Sequence, residues 1–176
     1  MQNDLKNDPR YQNHESRPDL AGEHPVGDTW QGIGMLAFIA AALLDYFLLG
    51  NPQHFNQLIS FWARLPFAIA LFGLGVWLSL HGIRVVFGEY REEPVMITND
   101  LFAYMRHPVY LGAILLYVAV LLLVLSPLAG LVLLAVLGMY HWLAKYEENR
   151  MIGIFGERYK EYQRRVPMWL PIKFNK

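Results

Sequence analysis

The stretch Val109–Leu143, "VYLGAILLYVAVLLLVLSPLAGLVLLAVLGMYHWL", decides the fold. It contains no Asp, Glu, Lys or Arg, and only Ser126-Pro127 interrupts its apolar run. A helix crossing a hydrocarbon core of about 30 Å needs ~20 apolar residues. The segments Val109–Leu125 and Leu128–Leu143 each approach that length, and the tight break between them predicts a helical hairpin.

Working outward, Trp30–Leu49 and Phe61–Phe87 are longer apolar runs that meet the requirement alone. A soluble helical core does not hold such uninterrupted runs. The pattern predicts an all-α integral membrane protein of four transmembrane helices, with a tight hairpin between the last two. Met1–Asp28, by contrast, is polar and lacks apolar periodicity, which predicts a disordered N-terminal tail. No short apolar core follows a basic start, so the tail does not read as a secretory signal.

Composition narrows the function. The formal net charge is zero, which gives no electrostatic reason to bind nucleic acid. There is no cysteine, so disulfides and thiolate metal sites are excluded, and His14, His24 and His54 lack metal-ligand spacing. No metal is expected. With four spans, Lys6, Arg10, Arg17, Arg84, Arg91, Arg106 and the eight basic residues from Lys145 onward share one side, and Arg64 alone lies opposite. The positive-inside rule makes the basic side cytoplasmic, together with both termini.

Chemistry-bearing residues concentrate on that side. The connection Gly88–His107, "GEYREEPVMITNDLFAYMRH", is too elaborate for a simple turn. Pro94 breaks helix there, "ITND" supplies capping residues, and Pro108 suits the first turn of the third span. Arg106 and His107 then stand at a helix N-terminus, where free N–H groups favour anions. An Arg-His pair at a helix mouth is also a common lipid anchor. The tail "KYEENRMIGIFGERYKEYQRRVPMWLPIK", Lys145–Lys173, continues the fourth helix beyond its apolar run and carries Glu147 and Glu148. Met151, Ile152, Phe155, Tyr159 and Tyr162 form a stripe past Gly156, which predicts a cytosolic C-terminal amphipathic helix. The hairpin brings this helix and the Arg106-His107 loop to the same face.

"RHPVYLG", "EENRMIGIFGERYKEY" and "RVPMWLP" together resemble the isoprenylcysteine carboxyl methyltransferase family, part of a wider group that includes phospholipid N-methyltransferases. The likeness covers about Val95 to Ile172. It implies a membrane methyltransferase domain over residues 29–176, S-adenosylmethionine as cofactor, and a lipophilic or small methyl acceptor (carboxylate, thiol or amine) that can enter from the bilayer. Residue by residue, it implies that His107, Pro108, Val109 and Tyr110 line the cofactor pocket. Met96 and Ile97 match the Leu-Val pair that contacts the cofactor, Phe102 the tyrosine that follows, and Glu147 the cofactor-binding glutamate. Arg106 matches the essential active-site arginine, and Glu148 stands beside it as the second catalytic candidate. Asp100 replaces the usual glycine, Phe102 the tyrosine, and Pro94 a cofactor-contacting histidine of some members. Leu143 stands where eukaryotic enzymes carry a substrate-binding arginine.

The residues agree with that cofactor in kind. A carboxylate such as Glu147 holds a cationic group, and helix-end N–H groups with Arg106 or His107 hold an anionic one. Methyl transfer is an in-line displacement in which positioning dominates. Two other classes compete: an NADPH-dependent sterol-reductase-like membrane enzyme, and a non-catalytic scaffold whose charges are anchors. No glycine-rich dinucleotide fingerprint follows a strand, which disfavours the reductase.

The remaining polar residues carry plainer expectations. Asp45 near the outer end of the first span is expected to be interfacial or snorkelling. His81 and His141 are expected to be packed and hydrogen-bonded, and Trp62 and Trp169 to be interface aromatics. Gly73, Gly75, Gly82, Gly112, Gly130 and Gly138 read as close-packing positions.

Overall fold

A computed structural model describes residues 8–9, 17, 20, 22–50, 57 and 59–170. Among these every regular element is helical. Helix α1 is Gly27–Leu44 and runs into a π-turn at Asp45–Leu49. Helix α2 is Phe61–Phe87, α3 Pro108–Val124, α4 Pro127–Phe155 and α5 Glu157–Arg165, with a 3-10 turn at Asp100–Ala103. Three stretches are long and apolar enough to cross a membrane: Gly27–Leu49, Phe61–Phe87 and Pro127–Phe155. Helix α3 is apolar but shorter, at 17 residues. The expected far-side loop Asn51–Gln57, along with His14 and His54, falls largely or wholly outside the described residues.

Contacts divide the chain into two compact units. The apolar unit comprises Val26–Trp77 and Tyr110–Trp142, and the polar unit Met1–Pro25, Leu78–Val109 and Leu143–Lys176.

In the apolar unit, the α3–α4 turn is held by side chains of the π-turn after α1 and of α2. Leu125 closes α3 with φ of 46°, a left-handed conformation that ends a helix. Ser126 caps α4, its Oγ accepting from the Ala129 N–H at 3.0 Å, and Pro127 fills the first helical position, where a missing N–H is harmless. Asp45 adds a second acceptor: its Oδ2 receives the Ser126 hydroxyl at 2.5 Å and the Leu128 N–H at 2.8 Å. Arg64 Nη1 donates to the carbonyls of Leu122 and Leu123 at 2.7 and 3.1 Å. A carboxyl group thus faces the start of α4 and a guanidinium the end of α3, an arrangement that suits the helix dipoles. Asp45 therefore departs from the interfacial expectation. It is fully buried, because two unsatisfied donors at the turn need its carboxylate.

Glycine packing is selective. A Cβ at Gly75 would lie 2.8 Å from the Gly112 carbonyl oxygen, so α2 and α3 approach through these two residues. Gly73 and Gly138 meet nothing within 4 Å and are not close-packing positions. Gly138 instead lines an apolar groove of about 520 Å³ with Trp30, Gly34, Val136 and Trp142.

In the polar unit, α4 ends where Gly156 turns with φ of 59°, and α5 folds back through Tyr159 and Tyr162. With Val166 these form a small core against Met96, Met151, Ile152 and Phe155, so the turn at Gly156 splits the expected stripe between α4 and α5, which pack on each other. Within the stretch expected to be disordered, Arg17 is buried. It donates to the Phe87 and Glu89 carbonyls at 3.3 and 2.7 Å, and its guanidinium lies 4.6 Å from the Tyr90 ring centroid. His24 packs edge-on against Tyr146 with ring centroids 4.3 Å apart.

Candidate functional site: an arginine, a histidine and two glutamates

Arg106, His107, Glu147 and Glu148 meet in the polar unit. The loop's 3-10 turn places Arg106 and His107 directly before Pro108, and α4 carries the glutamates just past its apolar run. Arg106 Nε donates to Glu148 Oε1 at 2.6 Å. Its Nη1 donates to the carbonyls of Gln163 and Val166 at 2.9 and 2.6 Å. Two backbone bonds reinforce the junction, from Arg106 N–H to Pro167 O at 3.0 Å and from His107 N–H to Met168 O at 3.3 Å.

His107 stands between the carboxylates, with Nδ1 3.6 Å from Glu147 Oε2 and Nε2 3.4 Å from Glu148 Oε1. Burial pulls its pKa below the ordinary imidazole value and outweighs the opposite pull of Glu148, so the ring is uncharged near neutral pH. Glu148 also accepts from Gln163 Nε2 at 2.9 Å and faces Lys145 Nζ at 3.6 Å. Its side chain is 1% exposed, against 20% for Glu147, so Glu147 is the carboxylate that a ligand can reach. Burial also raises the phenols of Tyr159 and Tyr162, which stay protonated.

The other predicted residues distribute around this cluster. Pro108 is fully buried, and Val109 packs so closely on α2 that a Cβ at Gly82 would lie 2.6 Å from its Cγ2. Phe102 presents its carbonyl to the Tyr162 hydroxyl at 2.6 Å. Met96 joins the Tyr159–Tyr162 core. Ile97 lines a polar cavity of about 380 Å³ with Arg84, Glu89, Arg91, Asn99 and Asp100. Tyr110 belongs to the apolar unit, where its ring lies 5.2 Å from that of Tyr140. Among the described residues no group of three His, Asp or Glu side chains could hold a metal ion.

The Arg106 and His107 amides hold residues 167–168 beside the loop, and the Trp169 ring centroid lies 5.9 Å from that of His107. One expectation changes. His141 is exposed rather than packed, since its position on α4 faces outward. Gln163 had no sequence signal at all. One glutamine in a charged tail looks like a solvated residue until its partner Glu148 is known.

The family model described as "Phospholipid methyltransferase" matches residues 63–158, more than half of the chain. The chain belongs to this family. Residues Arg106, His107, Glu147 and Glu148 all fall inside the match. Among curated relatives, the protein-S-isoprenylcysteine O-methyltransferase of Dictyostelium discoideum is 26% identical over 156 residues, covering 71% of this chain and 64% of that protein. The human protein of the same description is 32% identical, covering 54% of this chain and 42% of its own length. A methanethiol S-methyltransferase of Crocosphaera subtropica is 33% identical, covering 53% of this chain and 37% of its own. The chain thus spans less than two thirds of each of these relatives. Family membership and the three long apolar helices together make it an integral membrane protein.

Proposed function

We propose that this chain is an integral-membrane methyltransferase that uses S-adenosylmethionine. The observation that carries the reading is the buried Arg106–Glu148 pair with His107 and the more exposed Glu147 beside it, inside the family-matched segment. The donor set fits the cofactor. Glu147 provides a carboxylate for its ammonium group, and the cavity beside Ile97 offers Asn99, Arg84 and Arg91 to polar groups. When bound, the cofactor supplies an electrophilic methyl group on a sulfonium.

The protein's own residues do the rest. Glu147 holds cationic charge, and uncharged His107 adds no competing cation. Arg106 and Glu148 fix the loop, α4 and the C-terminal carbonyls in one geometry, which is the main contribution to an in-line displacement. A carboxylate or thiolate acceptor loses charge together with the sulfonium during transfer, so shielding from water favours the step.

The names of the relatives suggest two acceptor classes, an isoprenylcysteine and a small thiol. Leu143 is fully buried and apolar, which leaves no cation at the position matched to the substrate-binding arginine and favours a thiol or other non-carboxylate acceptor. We further propose four spans, α3 included, with both termini and the charged cluster cytoplasmic. The basic-residue distribution supports this.

The decisive experiment titrates S-adenosylhomocysteine and NADPH into the purified protein, then screens methyl acceptors with labelled cofactor. Binding of the first and methylation of a thiol or lipophile is the expected result. Binding of NADPH alone would restore the reductase reading, and binding of neither would leave the scaffold.

A further inference from the structure

Asp100 opens the 3-10 turn with φ of 55°, in the left-handed region. Aspartate tolerates that region better than most residues but is less at ease there than glycine. This chain nevertheless carries a carboxylate where the resembled pattern has glycine, and the carboxylate has a partner. Asp100 Oδ2 lies 2.9 Å from His81 Nε2 on α2.

The pair is well placed to matter. Its α2 end is firmly seated, because the adjacent Gly82 is packed against Val109. Its loop end lies between Ile97 and Phe102, two of the residues expected to contact the cofactor. The Phe102 carbonyl is anchored separately by Tyr162. The His81 contact therefore ties down the strained residue between them. The other charged groups at the cavity that Asp100 lines are Arg84, Glu89 and Arg91, and Arg91 is paired with Glu89 at 3.0 Å.

We propose that His81 and Asp100 form a latch that sets the position of the loop bearing Ile97 and Phe102, which makes His81 a positioning residue for cofactor binding. This rests on the methyltransferase reading above. The side chains are 36% and 43% exposed, so their pairing adds little to global stability. Its effect belongs in ligand affinity and loop order rather than in the melting temperature.

Calorimetry with S-adenosylhomocysteine on the purified full chain tests it. His81→Ala is expected to weaken binding about three- to five-fold with little change in melting temperature. His81→Gln places an amide N–H at comparable reach and should return affinity to within about twofold of wild type. Asp100→Gly relieves the backbone but deletes the partner, so adding His81→Ala to it should bring no further loss. Unchanged affinity in His81→Ala, or full additivity in the double variant, would overturn the latch. Amide exchange over Leu101–Tyr104 gives a readout without ligand, and it should speed up in His81→Ala and slow again in His81→Gln. If wild-type protein binds no S-adenosylhomocysteine, the proposed function fails, and unchanged exchange in His81→Ala would then reject the latch separately.

Discussion

Arg106 Nε donates to Glu148 Oε1 at 2.6 Å, and the two side chains are 9% and 1% exposed. The same guanidinium holds the Gln163 and Val166 carbonyls, so one residue joins the loop before α3, α4 and the C-terminal end of α5. Arg106 is thus more than a headgroup anchor: at least two of its nitrogens are committed to the protein itself.

Arg106→Lys keeps the charge but not the planar fork that serves several acceptors at once. The variant is expected to insert in the membrane, lose most methyl transfer, and show faster amide exchange over Gln163–Trp169, with a smaller change in cofactor affinity. Turnover near wild type would show that a positive charge alone suffices at this position. Glu148→Ala is harsher, because it removes the carboxylate partner of a guanidinium that is only 9% exposed, and it should lower the melting temperature in detergent more than Arg106→Lys does.

Glu147→Ala separates the two carboxylates. Glu147 is the more exposed and contributes less to the buried pair, so its loss should spare folding. Removing a charge-assisted contact to the cofactor should cost roughly 1.5–3 kcal/mol of binding. Calorimetry with S-adenosylhomocysteine showing unchanged affinity would remove Glu147 from the site.

Burial depresses the His107 pKa, so the unfolded chain binds a proton at a higher pH than the folded one. Below the ordinary imidazole value, about 6.5, the unfolded state therefore holds more protons, and this residue makes stability fall as pH drops toward the folded pKa. Above that value its contribution is flat. Thermal unfolding in detergent at pH 7.5 and pH 5.5 should show the loss in wild type, and His107→Gln should reduce it. A wild-type protein that gains stability on acidification would contradict the assignment.

Asp45→Ala should destabilise the apolar unit by about 1–3 kcal/mol, since it strands the Ser126 hydroxyl and the Leu128 N–H. Asp45→Asn keeps an acceptor and should cost less. Unfolding in detergent measures both, and equal melting temperatures for wild type and Asp45→Ala would show that the turn caps itself.

Hydrophobic pattern alone located the helices. Val109–Leu143 reads as two apolar segments around Ser126-Pro127, and Pro and Ser act there through purely local chemistry, a missing N–H and a cap. The apolar character of Met151, Ile152, Phe155, Tyr159 and Tyr162 was legible too, but not the turn at Gly156 that divides them between α4 and α5. What surrounds each polar residue was not legible. Asp45 looks like a snorkelling carboxylate until Ser126 and Leu128 are beside it, and Gln163 like a solvated residue until Glu148 is. Each of those partnerships joins residues far apart in the chain, and the sequence carries no period that records them. A buried polar group is stable only when hydrogen-bonded, so the tertiary structure decides which of these side chains are paired in the interior and which remain at the surface.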